Sequence, residues 1–314
     1  MTVGVKQSEA WYDSIDPSVN VGGEWKQVNG IYARHAGIWQ PGWERITIPP
    51  FIFEVKTSSA DETFTLPLVS GGTYNFKAYW GDGSNDRITA YDQSEATHTY
   101  ATPGTHEITL SGIVEGWAFN ASSSASKIGD IKQWGGLIIS PATGNQFRNC
   151  SNLTVSASDV LDVSGVTNMQ YMFRSCAQLT GLDASAWDVS NVTRMDGMFD
   201  SCSKLVSLNC ASWDVSSVTN MFIMFQSCAF FQVLDVDLSA WDVSHVTNML
   251  AMFQNVTIST AHYDALLIAW SQLSLQSGVS FHAGNSKYSA GAAATARSVL
   301  INTYNWSITD GGQA

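Results

Sequence analysis

The sequence predicts a multidomain chain: an N-terminal β-hairpin anchor, a β-sandwich, and then an α/β repeat solenoid closed by C-terminal capping coils. Three observations predict it. A phrase typified by "WDVSNVTRMDGMFDSC" recurs about every 26 residues, the stretch before it alternates apolar and polar residues with a period of two, and the Trp-rich start carries an Asn-Gly turn. The expected boundaries are 1–48 for the hairpin anchor, 49–140 for the sandwich, 141–258 for the solenoid and 259–314 for the capping coils.

The repeat is the strongest signal. Aligned copies put Leu161, Trp187, Trp213 and Trp241 in one column, with steps of 26, 26 and 28 residues. Val166, Met169, Met172, Phe173 and Cys176 recur as Val192, Met195, Met198, Phe199 and Cys202, and again as Val218, Met221, Met224, Phe225 and Cys228. Their offsets of 3, 6, 7 and 10 trace one face of an α-helix. Each copy is therefore expected to open with a short amphipathic helix. It should continue as an extended segment with two inward leucines, Leu179 and Leu182 or Leu205 and Leu208. Such a unit cannot bury its apolar stripe alone, whereas stacked units share one core, as in a leucine-rich-repeat-like ladder.

The columns also bear on chemistry. Cys150, Cys176, Cys202 and Cys228 are each 26 residues apart, and the last copy has Val256 in their place. A column that accepts Cys or Val reads as a small buried apolar site, with a disulfide ladder as the competing reading. No CxxC pair occurs, so metal thiolates fit poorly and no metal site is expected. Asp162, Asp188, Asp214 and Asp242 read as helix caps, completed by Ser164, Ser190, Ser216 and Ser244. The glycine and aspartate pattern of a calcium-binding β-roll is missing. The Trp column tolerates Leu161, so it requires apolar bulk, and sugar stacking by these indoles is the weaker reading.

Before the repeats, "GGEWKQVNGIYARHAGIWQPGWERITI" reads as short hairpins around Asn29-Gly30, and Pro49-Pro50 marks a boundary. "TFTLPL", "TYNFKAYW" and "HEITLSG" then alternate as sandwich strands, with a tight turn at "WGDGSN". Asp82 and Asp86 in that turn invite a calcium reading, against turn hydrogen bonding as the commoner role. After the repeats, Tyr263, Leu266, Leu267 and Trp270 share one helical face, and "AAATARSVLINTY" forms a second helix. "GVSFHAG" and "NWSITDG" align at an offset of 27, pairing Val279 with Trp306 and Phe281 with Ile308.

Composition narrows the function. Fifteen Lys plus Arg against 27 Asp plus Glu give a formal net charge of -12, which opposes nucleic acid and anionic membrane surfaces. No apolar run approaches the roughly 18 residues of a membrane helix, and the start lacks the basic and apolar regions of an export signal, so membrane insertion and export by the usual route are not expected. The six His show no catalytic spacing, and Asp235 with Asp237 is the one suggestive carboxylate pair, read as solvated charge. No enzyme activity and no cofactor are expected.

The phrase "WDVSNVTxMxxMFxxC" resembles the BspA-like leucine-rich repeats, also catalogued as a domain of unknown function (DUF285 type) in surface proteins of mycoplasma and Bacteroidetes. "YWGDGSND…THTYATPGTHEITLSG" resembles the polycystic-kidney-disease (PKD) type of Ig-like domain. "WKQVNGIYARHAGIWQPGWE" is similar to Trp-rich hairpin segments of tailed-phage virion proteins. These resemblances imply a bacteriophage virion protein, such as a tail fibre, that docks to other virion proteins through Trp25, Ile31, Tyr32, Trp39 and Trp43. Its sandwich and solenoid would be displayed for host attachment, to a surface protein or glycan, as a homo-oligomer in the particle. A bacterial cell-surface adhesin and a capsid decoration protein are the alternatives. Copy three adds its own expectation: Phe222 and Ile223, with Phe230 and Phe231 of the insertion "AFFQVLDVD", should lie on the convex surface as a subunit or partner interface.

Overall fold

The computed structural model describes the backbone of residues 18–21 and 24–27, and residues 48–120, 122–228 and 237–314 in full. The chain divides into two compact units, Met1–Pro49 and Pro50–Ala314. The described part is mostly β, with several sheets and none of them closed. None of its helices is long and apolar enough to cross a membrane.

In the first unit, β1 (Ser18–Val21) and β2 (Glu24–Gln27) pair antiparallel, with Ser18 opposite Gln27. Trp25 sits in β2. Its side chain, the Asn29-Gly30 turn and Ile31, Tyr32, Trp39 and Trp43 lie outside the described residues.

The second unit opens with β3 (Phe51–Thr57), β4 (Glu62–Thr65), β5 (Leu68–Tyr79), β6 (Asn85–Ile88), β7 (Thr97–Tyr100) and β8 (Gly104–Trp117). Next come β9 (Ile128–Gln133), β10 (Leu137–Ile138) and β11 (Thr154–Val155). One large sheet runs β11-β9-β3-β8-β5-β6, with β10 parallel to β8, while β4 and β7 form a separate pair. Period-two alternation accounts for the inner face: Phe51, Phe53 and Val55 are buried, and Ile52, Glu54 and Lys56 between them are not. The β4–β7 pair packs through Phe64, 6.1 Å from Phe53, and Tyr100, stacked 3.9 Å from His106. In the "WGDGSN" turn, Asp82 accepts from the Ser84 N–H at 2.9 Å and lies 2.7 Å from His98 Nε2. Asp86 accepts from Trp80 Nε1–H at 2.8 Å. Both carboxylates thus organise the turn. Among the described residues, no group of three or more His, Cys, Asp or Glu is placed to hold a metal.

The repeats grow directly from this sheet. β11 lies parallel to β9, with Thr154 opposite Asp130, and the next coils add β12 (Gly181–Leu182) and β13 (Ser207–Leu208), paired parallel at the 26-residue step. One hydrophobic core continues from Phe51 to Trp306.

The expected amphipathic helix at the start of each copy is not there. In copy two, the N–H groups of Met195, Gly197, Phe199 and Ser201 donate to the carbonyls of Asn220, Phe222, Met224 and Gln226 on the next coil, at 3.0, 2.8, 2.9 and 2.8 Å. The intervening N–H groups of Met198, Asp200 and Cys202 close i→i+3 turns on Met195, Gly197 and Phe199, at 3.2, 3.1 and 3.1 Å. An α-helix would send each of these donors four residues back within the same coil. Here every second donor leaves the coil, which requires left-handed backbone at two positions. Gly197 and Ser201 have φ of 60° and 63°, and Tyr171, Ser175, Ile223 and Ser227 repeat the pattern at 55°, 61°, 48° and 55°. The result is a ribbon of consecutive turns, hydrogen-bonded from coil to coil.

The repeated phrase now has a residue-by-residue cause. Trp187, Trp213 and Trp241 are buried and stack at 5.9 and 6.2 Å, and Trp213 and Trp241 donate to the carbonyls of Ala184 and Cys210. Their faces are closed to a sugar. The Phe column from Phe147 to Phe253 stacks at 5.4 to 5.8 Å. Asp162, Asp188, Asp214 and Asp242 each accept the N–H two residues on, so they cap turns instead of helices. Thr193, Thr219 and Thr247 donate both N–H and Oγ1–H to the Thr carbonyl of the preceding coil. All five cysteines are free and buried. The thiols of Cys176, Cys202 and Cys228 donate to the carbonyls of Phe147, Phe173 and Phe199 at 3.2, 3.0 and 2.8 Å. Burial pushes the Cys210 thiol up to about 12 and also raises Cys150, Cys176 and Cys202.

Towards the C-terminus, the two helices and the strand pairing fall where the sequence placed them. Helix α1 (Thr260–Trp270) buries Tyr263, Leu266, Leu267 and Trp270. β14 (Ser280–His282), helix α2 (Ala292–Asn302) and β15 (Ser307–Thr309) follow, and Phe281 lies opposite Ile308 in a parallel pair. Asp310, not singled out in the sequence, accepts from Tyr263 Oη–H at 2.9 Å and Arg297 Nε–H at 2.8 Å. It ties both helices to the final strand.

Thiol labelling of the native protein is expected to be slow, with five thiols titrating after denaturation; fewer than five would contradict free, buried cysteines. Cys202→Val should cost less than about 1.5 kcal/mol, because volume is nearly kept. Phe199→Ala should cost about 3–5 kcal/mol by opening a cavity in the Phe stack.

Burial alone would raise Asp82, but hydrogen bonds from Ser84 and His98 outweigh it and bring the carboxyl down to about 2. Its contribution to stability is therefore complete above about pH 4 and is lost as pH falls towards 2. The difference in Tm between wild type and Asp82→Asn should shrink across that window; a difference independent of pH would contradict the assignment.

Candidate binding face

The coil-to-coil bonds use backbone atoms, so they leave the outward side chains of the turn ribbon free to differ. Three other columns vary along the ladder. One reads Gly144, Gln170, Asp196, Phe222, Leu250; the second Asn145, Tyr171, Gly197, Ile223, Ala251; the third Arg148, Arg174, Asp200, Gln226, Gln254. The inward columns stay Met169, Met195, Met221, Met249 and Phe173, Phe199, Phe225, Phe253, all fully buried. Scaffold and surface are thus separated within one ribbon.

The first coils carry a polar cluster. Gly197 has no side chain, and the ring of Tyr171 from the preceding coil occupies the space: a Cβ on Gly197 would sit 2.3 Å from Tyr171 Cδ1 and Cε1. The guanidinium carbons of Arg148 and Arg174 lie 5.1 and 4.8 Å from the centroid of that ring. Arg174 Nε–H donates to Asp200 at 2.8 Å. Arg194 forms a two-pronged pair with Asp196, at 2.9 and 3.0 Å. Asp196 and Asp200 are only 2% and 4% exposed, and each has an arginine as its partner. Among the described residues Arg148 has no carboxylate partner; it donates to Asn145 Oδ1 at 3.1 Å, and its Nε–H is buried without a hydrogen-bond partner.

On the later coils the first column turns apolar. Leu250 is 51% exposed and Phe222 is half-buried beside it in the same column. Ile223, expected on the surface, is 7% exposed. Its left-handed backbone turns the side chain towards the gap at Gly197, where Ile223 Cδ1 lies 3.5 Å from the position a Cβ would take. Phe230 and Phe231, the other residues of the expected interface, and Asp235 lie outside the described residues. Asp237 caps a turn, accepting the Ser239 N–H at 2.8 Å. The sequence reading missed the Arg148, Tyr171, Arg174, Arg194, Asp196 and Asp200 cluster. The same 26-residue step that revealed the core would have placed Arg174 beside Asp200.

These ribbons place the chain beside a known family. Residues 142–265 match the family model described as "Mycoplasma protein of unknown function, DUF285". The DUF285 region opens at the first coil and closes inside α1, so the stacked coils carry the likeness and the sheet of β3 to β10 does not. No curated protein and no solved structure matches the chain.

Gly197→Ala should destabilise the protein by about 1–3 kcal/mol, because it puts a Cβ on left-handed backbone and drives it into Tyr171. In a Tyr171→Ala background the added cost of Gly197→Ala should fall, a coupling measurable in a double-mutant cycle by denaturant titration. Equal cost in both backgrounds would show that the ring does not fill the gap.

Proposed function

We propose that the chain is a non-enzymatic attachment protein. The observation that carries this reading is the separation of an unvarying, backbone-bonded scaffold from three columns whose residues vary along the ladder. A ladder built this way can alter its recognition surface coil by coil without disturbing its core, the logic of repeat proteins used as binding scaffolds. The stacked coils are taken as a leucine-rich-repeat-like solenoid and β3 to β9 as a PKD/Ig-like sandwich. β9 pairs with β3 on one side and with β11 of the first coil on the other, which supports the sheet as the N-terminal cap of the ladder.

On this reading the protein is a virion component of a tailed phage. It docks through the segment containing Trp25, Ile31, Tyr32, Trp39 and Trp43, and displays the ladder for host attachment, with Phe222 and Leu250 on the outward face. The likeness of that Trp-rich segment to virion proteins supports it. The DUF285 match, named for a cellular organism, favours the second reading, a bacterial cell-surface adhesin.

Deleting residues 1–48 tests the docking. The remaining chain is expected to stay soluble, with the cooperative melting of Pro50–Ala314, and to disappear from purified particles while the full chain co-sediments with them. Incorporation of the truncated chain would move the docking site elsewhere. Absence of the full chain from particles, together with its presence on bacterial surfaces, would establish the adhesin.

A further inference from the structure

We infer that the polar cluster on the first three coils is a subsite for an acidic glycan, one that carries carboxylates or sulfates along a hydroxyl-rich chain. The inference rests on the attachment reading and names the ligand class of that face. Three of the seven arginines in the sequence, Arg148, Arg174 and Arg194, converge here, in a chain of net charge -12. Two carboxylates, Asp196 and Asp200, offset two of the three positive charges. Among the described residues no carboxylate pairs with Arg148, so the excess charge rests on its guanidinium. Arg148 and Arg174 occupy one column on successive coils, joined by the Asn149 N–H to the Arg174 carbonyl at 2.8 Å, and both lie against the ring of Tyr171. That ring holds the two guanidinium groups in place, so a ligand oxyanion meets donors already fixed, the condition under which charge-assisted bonds are strongest.

A glycan fits better than an acidic peptide. Around the arginines the outward groups are amides and hydroxyls, Asn145, Asn149, Gln170 and Ser175, which suit sugar hydroxyls, and the apolar side chains of the same column, half-buried Phe222 and exposed Leu250, lie further along. The -12 charge also disfavours a dense polyanion, and selects a chain whose acidic groups are spaced out by neutral hydroxyls.

The test is biolayer interferometry with the full chain against polygalacturonate, dextran of matched length and polyglutamate. Polygalacturonate should bind best, and binding should weaken as NaCl is raised. Arg148→Gln should lower its affinity by about ten-fold or more, the loss of one charge-assisted contact, with Tm unchanged. Lys204→Gln, the same charge change on an exposed lysine that reaches Gln178 on the strand side of the ladder, should leave affinity unchanged. The inference is overturned if polygalacturonate does not bind, if dextran or polyglutamate binds as well, or if Lys204→Gln costs as much as Arg148→Gln. Adsorption to particles or cells is scored separately. Adsorption without polygalacturonate binding overturns only the ligand class, whereas polygalacturonate binding without adsorption overturns the attachment reading.

Discussion

The structure depends on one hydrogen-bonding constraint: in each coil every second N–H of the turn ribbon is committed to a carbonyl of the next coil. Four such donors leave copy two, from Met195, Gly197, Phe199 and Ser201. Because both partners are backbone, the spacing between coils is fixed near that of paired strands, and the side chains must follow. Identical aromatic rings then fall one above another and stack, which accounts for the Phe and Trp columns. The small space beneath each Phe carbonyl admits a thiol or a valine, so Cys150 to Cys228 give way to Val256 without breaking the ladder. The same bonds continue into the C-terminal coils, where Phe253 N–H donates to the His282 carbonyl at 3.0 Å.

Much of this was legible in the sequence, because a periodic chain repeats its packing. The period placed the buried Trp, Met, Phe and Cys columns, and the offset of 27 placed Phe281 opposite Ile308. The local conformation was misread for a physical reason. Apolar offsets of 3, 6, 7 and 10 arise from an α-helix, but i→i+3 turns in succession bury residues at the same spacing. The discriminating signal was the column Asn149, Ser175, Ser201, Ser227, Asn255, with Gly197 and Asn145 in its neighbour. Such residues are poor helix formers, and Asn and Gly readily accept left-handed backbone; each of the five in the first column does so. The capping of turns by Asp162, Asp188, Asp214 and Asp242 was half-read: the acceptor role holds, and the element it caps is different.

The candidate face was harder to see because it does not repeat. Arg174 and Asp200, or Tyr171 and Gly197, are 26 residues apart and touch only because the ladder sets them side by side. Reasoning within one coil cannot find such pairs, while reading down the columns can. The burial of Ile223 has the same origin. Its environment is set by a glycine one coil away, not by its own neighbours in sequence.

The most direct test of the coil-to-coil account is the NMR scalar coupling across the hydrogen bond made by the Gly197 amide. The account predicts coupling from the Gly197 N–H to the carbonyl carbon of Phe222, 2.8 Å away from nitrogen to oxygen on the next coil. Coupling to the carbonyl of Thr193, four residues back as in an α-helix, would contradict it.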